Sequence, residues 1–181
     1  CYGDGIAAYP DRYTRTGTSS HITAWVRHNP HLAASPGVGL PMQCLSTNCL
    51  YYQAYRLLCR MERELGMPVD RLWEEKAEAM KHSIQAHFWS EDLGRYRYLV
   101  DPFGGCDRQE GLGHAFALLF DLPSPAQKES IFKNIVVTPF GIACVEPSYD
   151  RYRVDEHSFG RHSGTVWPHV QGFWAHAAAL N

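Results

Sequence analysis

The residue best placed for acid–base chemistry is Asp4, in the segment Tyr2-Gly3-Asp4-Gly5. The flanking glycines let the backbone approach a bound molecule closely, and Tyr2 and Tyr9 could stack on the apolar face of a ring. These neighbours favour Asp4 over Asp11 as a proton donor. The alternative is that Asp4 is a turn residue, because Asp-Gly is also common turn chemistry.

Two tryptophans offer flat faces on which a ligand could stack, Trp25 and Trp167, although a buried core position is a common alternative for any aromatic side chain. Four polar side chains could form hydrogen bonds to a ligand: Glu110, His157, His162 and Gln171. Glu110 precedes a predicted helix, where a carboxylate would also complement the helix dipole. Gln171 lies one turn after Trp167 and would share its exposure.

A metal or other cofactor is not expected. His28 and His31 have the spacing of a helical metal pair, but Pro30 between them breaks the helix and no third ligand is suitably spaced. The six cysteines form no Cys-x-x-Cys pair: Cys1, Cys44, Cys49, Cys59, Cys106 and Cys144. Buried thiols are the favoured interpretation, with a disulfide involving Cys44 or Cys106 as the alternative.

Composition excludes several classes of partner. The 181 residues have a formal net charge of -2, which gives no electrostatic footprint for nucleic acid or an anionic membrane. No apolar run approaches the roughly 20 residues that span a bilayer, and the start does not resemble a signal peptide. Aromatic residues make up 13% of the chain, which favours a polar, uncharged ligand. Because the first residue is Cys1, we expect that residues upstream have been removed; the compartment is undecided, with a periplasmic or secreted location slightly favoured.

The clearest secondary-structure signal is a helical hairpin. Ser46 or Thr47 is predicted to cap a first helix that ends at Gly66, and Pro68 is predicted to open a second. The apolar stripe of the first helix is Leu50, Ala54, Leu57, Leu58, Met61 and Leu65. That of the second is Val69, Leu72, Trp73, Ala77, Met80, Ile84 and Phe88. Helices joined by so short a link must fold back as an antiparallel pair.

Three further helices follow a predicted turn and short strand around Leu93-Gly94. The third has Leu112, Ala115, Phe116 and Leu119 on its apolar face. The fourth begins with a capping box at Ser124-Pro125-Ala126-Gln127, and the fifth begins at Pro168. Residues 1–46 are predicted to be an irregular aromatic loop region. The predicted fold is therefore all-α, built of antiparallel hairpins, and incomplete because the fifth helix has no partner.

The segment around Trp167 carries a family resemblance. Gly164-Thr165-Val166-Trp167-Pro168-His169-Val170-Gln171-Gly172-Phe173-Trp174 resembles a signature of the six-hairpin glycosidases, which fold as (α/α)6 toroids. These include family 63 glucosidases and the C-terminal domain of glycogen debranching enzymes. Three other stretches are similar to the family in the expected order: Trp89 with Leu93-Gly94-Arg95-Tyr96, Arg108-Gln109-Glu110-Gly111-Leu112-Gly113, and Phe140-Gly141-Ile142.

This resemblance implies that residues 1–181 are part of a glycosidase-like catalytic domain, with about half of the twelve helices of a toroid. It implies hydrolysis of an oligosaccharide or polysaccharide, of the exo-acting glucosidase or debranching type and inverting, by two carboxyl groups. Asp4 would be the general acid. The general base would be a glutamate after the Trp-Pro helix and beyond Asn181, so we expect the chain alone to be inactive. Glu146 and Glu156 are candidates within the chain, but solvated loop carboxylates are favoured there.

The alternative function is a non-catalytic carbohydrate-binding helical domain that lacks the base. In either case one expected partner is an oligosaccharide or polysaccharide. The other is the remainder of the parent chain or a second copy of this chain. A toroid directs the starts of its inner helices to one end. We therefore expect three segments to converge: residues 40–48, 108–110 and 157–167.

Overall fold

The computed structural model describes residues 43–101, 104–147 and 164–181. These residues form a mostly helical fold whose largest sheet has three short strands, which confirms the predicted all-α class. The helices are α1 (Leu45–Glu64), α2 (Arg71–Phe88), α3 (Gly111–Leu119), α4 (Pro125–Asn134) and α5 (Pro168–Leu180). In the part of the chain that is described, no helix combines the length and apolar character needed to cross a membrane.

Helices α1 and α2 form the predicted hairpin and pack along each other. Gly66 ends the turn after α1 with a φ of 67°, a left-handed conformation that favours glycine. α2 begins at Arg71 rather than at Pro68, because Asp70 is the N-cap and accepts a hydrogen bond of 2.9 Å from the Leu72 N–H. The predicted stripe of α2 is confirmed at its four buried positions: Ala77, Met80, Ile84 and Phe88.

The prediction for α1 was wrong on two counts. Its stripe from Leu50 to Leu65 is largely exposed, with Met61 at 55% and Leu65 at 71% exposure. The buried face carries Leu45, Ser46, Asn48, Cys49, Tyr52 and Cys59 instead. Moreover, the N-cap is Cys44, so Ser46 lies inside the first turn. Periodicity failed here because polar and thiol side chains occupy the packed face, where the hydropathy pattern does not register them.

In the described residues, seven short strands lie next to the ends of the helices. They are β1 (Gln43–Cys44), β2 (Trp89–Ser90), β3 (Arg95–Tyr96), β4 (Leu99–Asp101), β5 (Gly104–Cys106), β6 (Gln109–Glu110) and β7 (Val145–Glu146). All pair antiparallel, in the orders β1-β4-β5, β2-β3 and β6-β7. The predicted turn at Gly94 joins β2 to β3, and its φ of 59° again suits glycine.

The described cysteines form no disulfide and are buried thiols. In the three-stranded sheet Leu99 pairs with Cys44 on one side and with Cys106 on the other. Two strand spacings therefore separate Cys44 from Cys106, roughly 9–10 Å, which is beyond the reach of a disulfide. The predicted thiol state holds for these residues.

The core lies where α1, α3 and α5 pack side by side, with α3 in the middle. α2 covers α1, and α4 lies against β3. A polar network ties the covering layer together, since the Gln85 amide donates to the Tyr96 hydroxyl at 2.8 Å and to the Leu122 carbonyl at 2.9 Å. This layered arrangement leaves the starts of the odd-numbered helices close to one another.

Candidate functional site

The starts of α1 and α3 meet at the carboxylate of Glu110. The Ser46 hydroxyl donates to Oε1 at 2.5 Å and the Ser46 backbone N–H donates to Oε2 at 3.0 Å. Glu110 is only 7% exposed, so these charge-assisted bonds lie in a desolvated environment where they are stronger than in water. The carboxylate therefore joins two segments that are 64 residues apart.

Glu110 acts as an N-cap for a helix to which it does not belong. The first N–H groups of α1 have no partner within the helix, and Cys44 supplies no side-chain capping bond to them. Glu110 takes this role at Ser46, and it also stands at the N-cap position of α3. Its carboxylate thus lies at the start of both helices, where the helix dipole favours a negative charge.

Gly113 makes the room that this carboxylate occupies. A Cβ atom at that position would collide with Glu110 Oε2 and would lie 2.8 Å from Leu45 Cδ2. Both partners are themselves buried, so neither can move aside freely. Glycine at position 113 is therefore a packing requirement of the Glu110 junction.

The start of α5 joins the same junction through Cys144. The Gly111 N–H donates to the Cys144 carbonyl at 3.0 Å, and the Cys144 N–H donates to the Thr165 carbonyl at 2.8 Å. Burial raises the pKa of the Cys144 thiol, and a hydrogen bond from the Trp167 N–H partly offsets this increase. Among the described residues, the starts of α1, α3 and α5 thus converge, which agrees with the expectation for residues 43–48, 108–110 and 164–167; residues 40–42 and 157–163 lie outside the described residues.

His114, which the sequence analysis did not single out, is fully buried one turn into α3. Its Nδ1 lies 2.8 Å from the Glu110 carbonyl oxygen, and its Nε2 has no hydrogen-bond partner among the described residues. Burial, opposed in part by the hydrogen bond to the Glu110 backbone and assisted by the nearby charge of Arg95, lowers the pKa of His114 from 6.5 to about 4. The signal available in the sequence was the four-residue spacing between Glu110 and His114, which places both residues on one side of the helix.

Cys49 borders the junction from α1. Its thiol lies 4.0 Å from the Gly113 carbonyl oxygen and is completely buried. Burial, and then the negative charge of Glu110, raise the pKa of Cys49 well above its ordinary value. The group is therefore a neutral thiol that packs the junction and is not a nucleophile.

Of the predicted binding residues, Trp167 is the half-buried N-cap of α5, and its ring meets His169 edge-on at a centroid distance of 5.5 Å. Gln171 is also half-buried, and its amide oxygen accepts a hydrogen bond of 2.8 Å from the Ile142 N–H. That bond anchors the Thr138–Gly141 turn beside α5. Glu110, Trp167 and Gln171 thus all lie around the converging helix starts.

Four predicted site residues lie outside the described residues: Asp4, Trp25, His157 and His162. The same holds for the alternatives Asp11 and Glu156. Glu146 is described and lies in β7, where it pairs with Gln109 and is half-buried. Within the described ranges no three His, Cys, Asp or Glu side chains are grouped to hold a metal ion.

The model of one known protein family matches nearly the whole of this chain. Residues 8–180 match the family model described as the mannosylglycerate hydrolase MGH1-like glycoside hydrolase domain. The chain therefore belongs to this family of glycoside hydrolase domains. A comparison with curated protein sequences found no match.

Proposed function

We propose that this member of the MGH1-like glycoside hydrolase family releases one sugar at a time from a small glycoside, with inversion at the anomeric carbon. Mannosylglycerate, which the family description names, is the first substrate to test. Glucosides of the kind cleaved by glucosidases and debranching enzymes form the comparison set. Family membership indicates glycoside hydrolysis in general. We propose in addition the substrate, the mode of cleavage and the residues that bind and cleave it.

The observation that carries the proposal is the convergence of three helix starts around one buried carboxylate. Polar groups gather at these helix starts, because the first N–H groups of a helix have no acceptor within it. Glu110 adds a fixed acceptor, and Trp167 adds an aromatic face at the start of α5. A sugar ring needs this combination, because its C–H face is apolar and its rim is polar.

Glycoside hydrolysis requires two carboxyl groups on opposite sides of the scissile bond. In our proposal Asp4 protonates the leaving oxygen as the general acid, while a second carboxylate activates water. Trp25 and Trp167 stack on the sugar, and Glu110, Gln171, His157 and His162 orient its hydroxyls. The hydrogen bonds that Glu110 already makes to Ser46 fix its carboxylate before substrate arrives, which reduces the cost of ordering it on binding.

The test uses the full-length protein as its own gene encodes it, assayed on mannosylglycerate and on a panel of glucosides. Asp4→Asn should abolish turnover while the Kd changes little, as expected for a proton donor. Trp167→Ala should weaken binding by about 1–3 kcal/mol, the scale for burying a large side chain. Trp73→Ala is the control, because Trp73 is also half-buried but stacks on Tyr55 in the α1–α2 hairpin.

Inversion is tested separately, by recording the anomer first released with NMR during the initial turnover. Release of the opposite anomer to that of the substrate supports the proposal, and release of the same anomer overturns the inverting mechanism. If Asp4→Asn turns over at the wild-type rate, then Asp4 is a turn residue and is not the acid. Binding of mannosylglycerate without turnover by the wild type would favour a carbohydrate-binding role.

A further inference from the structure

His114 is the one fully buried imidazole among the residues the structure describes, and one of its ring nitrogens is fully accounted for. Nδ1 lies 2.8 Å from the carbonyl oxygen of Glu110. A carbonyl oxygen can only accept a hydrogen bond, so Nδ1 must carry the proton. The neutral ring then has an unprotonated Nε2, and this buried atom has no partner in the described part of the chain.

This geometry fixes the charge state as well as the tautomer. Protonation of Nε2 would create a buried N–H without an acceptor, in a site that also feels the positive charge of Arg95. The ring also packs against Tyr96, with centroids 6.1 Å apart, so it cannot easily turn over. The Nδ1–H donor is therefore held in place on the backbone of Glu110.

We propose that His114 is a positioning residue, whose Nδ1–H holds the Glu110 carbonyl so that the carboxylate stays on Ser46 and faces the converging helix starts. The inference rests on the proposed function, in which Glu110 orients a sugar hydroxyl. His114 itself touches neither the sugar nor the reacting atoms in this scheme. Its effect reaches the ligand through the orientation of one carboxylate.

The first experiment needs no ligand, and it uses a variant only to assign the signal. NMR of the wild-type chain, labelled at the histidine ring nitrogens, should show a neutral His114 with the proton on Nδ1; the His114→Asn spectrum identifies the resonance. A proton on Nε2 would overturn the proposal, because the ring could then not donate to Glu110.

The second experiment measures amide hydrogen exchange in two variants. His114→Leu removes the donor but keeps much of the volume, whereas His114→Asn keeps an N–H donor near the position of Nδ1. In His114→Leu the Ser46 amide should exchange faster, and in His114→Asn it should stay protected. The control amide is Gln127, which Ser124 caps at 3.3 Å in α4. Equal acceleration at both amides would indicate general destabilisation and would overturn a specific positioning role.

The third experiment separates this inference from the proposed function, using calorimetric titration with mannosylglycerate. His114→Leu should raise Kd about fivefold, the change that corresponds to one net hydrogen bond, and should add little to a Glu110→Gln background. If Glu110→Gln weakens binding and His114→Leu does not, the inference fails alone. If Glu110→Gln has no effect on Kd, the sugar contact of Glu110 fails, and with it the effect of His114 on ligand binding. If the wild type does not bind mannosylglycerate, the substrate proposal fails, while Ser46 exchange still decides whether His114 positions Glu110.

Discussion

Helices α1 and α4 begin in opposite ways. At α4 the Ser124 hydroxyl accepts from the Gln127 N–H at 3.3 Å, and the Gln127 side chain accepts from the Ser124 N–H at 2.9 Å. This reciprocal capping box lies within four residues, with Ser124 exposed and Gln127 half-buried, where the Gln127 amide also donates to Gln85 of α2 at 3.0 Å. At α1 the equivalent acceptor is the buried carboxylate of Glu110, which comes from the start of α3.

The difference shows how the site depends on tertiary structure. A local cap takes its capping bonds from its own helix, so it does not couple the start of that helix to the start of another. The Glu110 cap couples α1 to α3, and the bonds through Cys144 couple α3 to α5. The start of each of these three helices is therefore bonded to the start of a neighbouring one, and a change at the junction should destabilise all three. A change at Ser124 should affect mainly α4.

The largest expected effect is acid destabilisation of the junction. His114 is neutral when folded because its pKa falls from 6.5 to about 4, so between these pH values the unfolded chain binds more protons. This contribution to stability is complete above pH 6.5 and is lost as the pH falls through about 4. The loss should be on the order of 3 kcal/mol, from about 1.4 kcal/mol per pKa unit.

Urea unfolding of the chain at a series of pH values measures this loss. His114→Asn should flatten the acid limb, whereas His82→Asn, at an exposed histidine of α2, should leave it unchanged. The same slope in both variants would show that other groups cause the acid sensitivity.

Next in size is the loss of the shared cap. Glu110→Ala leaves the Ser46 N–H and hydroxyl without their acceptor in a buried setting, which should reduce the free energy of unfolding by about 2–3 kcal/mol. Glu129→Ala is the matched control, since Glu129 is an exposed glutamate on α4. Chemical denaturation measures both, and a Glu110 loss no larger than that of Glu129 would contradict the coupling.

The local cap should contribute less. Ser124→Ala removes the side-chain acceptor of the Gln127 N–H, at an expected cost of about 1 kcal/mol. Hydrogen exchange should show the effect confined to the first turn of α4. Faster exchange at Ser46 as well would mean that the two helix starts are not independent.

The smallest effect is expected on the exposed face of α1. Met61→Gln changes a side chain that is 55% exposed, so the free energy of unfolding should change by less than about 0.5 kcal/mol. Thermal or chemical unfolding measures the change. A loss as large as that of Ser124→Ala would show that this face packs against something in solution.

Much of the fold follows from short-range rules that the sequence displays directly. The capping box at Ser124, the turn at Gly94, the hairpin through Gly66 and the buried face of α2 are all determined within a few residues. Each depends on backbone conformation or on helical periodicity, which neighbouring residues dictate. The motif around Trp167 likewise identified a glycosidase family, as the match over residues 8–180 confirms.

The candidate site was less predictable. The sequence marked Glu110 as a ligand contact or a helix-dipole partner, but it could not show that the partner helix is α1. It also missed Ser46 as a bonded partner and His114 as the donor to Glu110. Hydropathy favoured the exposed stripe of α1 because a hydropathy scale treats Ser46 and Asn48 as surface residues. Both are buried, and hydrogen bonds satisfy their side chains. The cap of α4 and the turns at Gly66 and Gly94 are local, and the sequence alone determined them. The junction of α1, α3 and α5, with the cap that Glu110 gives to α1, required the tertiary structure, because a buried polar group is stable only where a partner satisfies it.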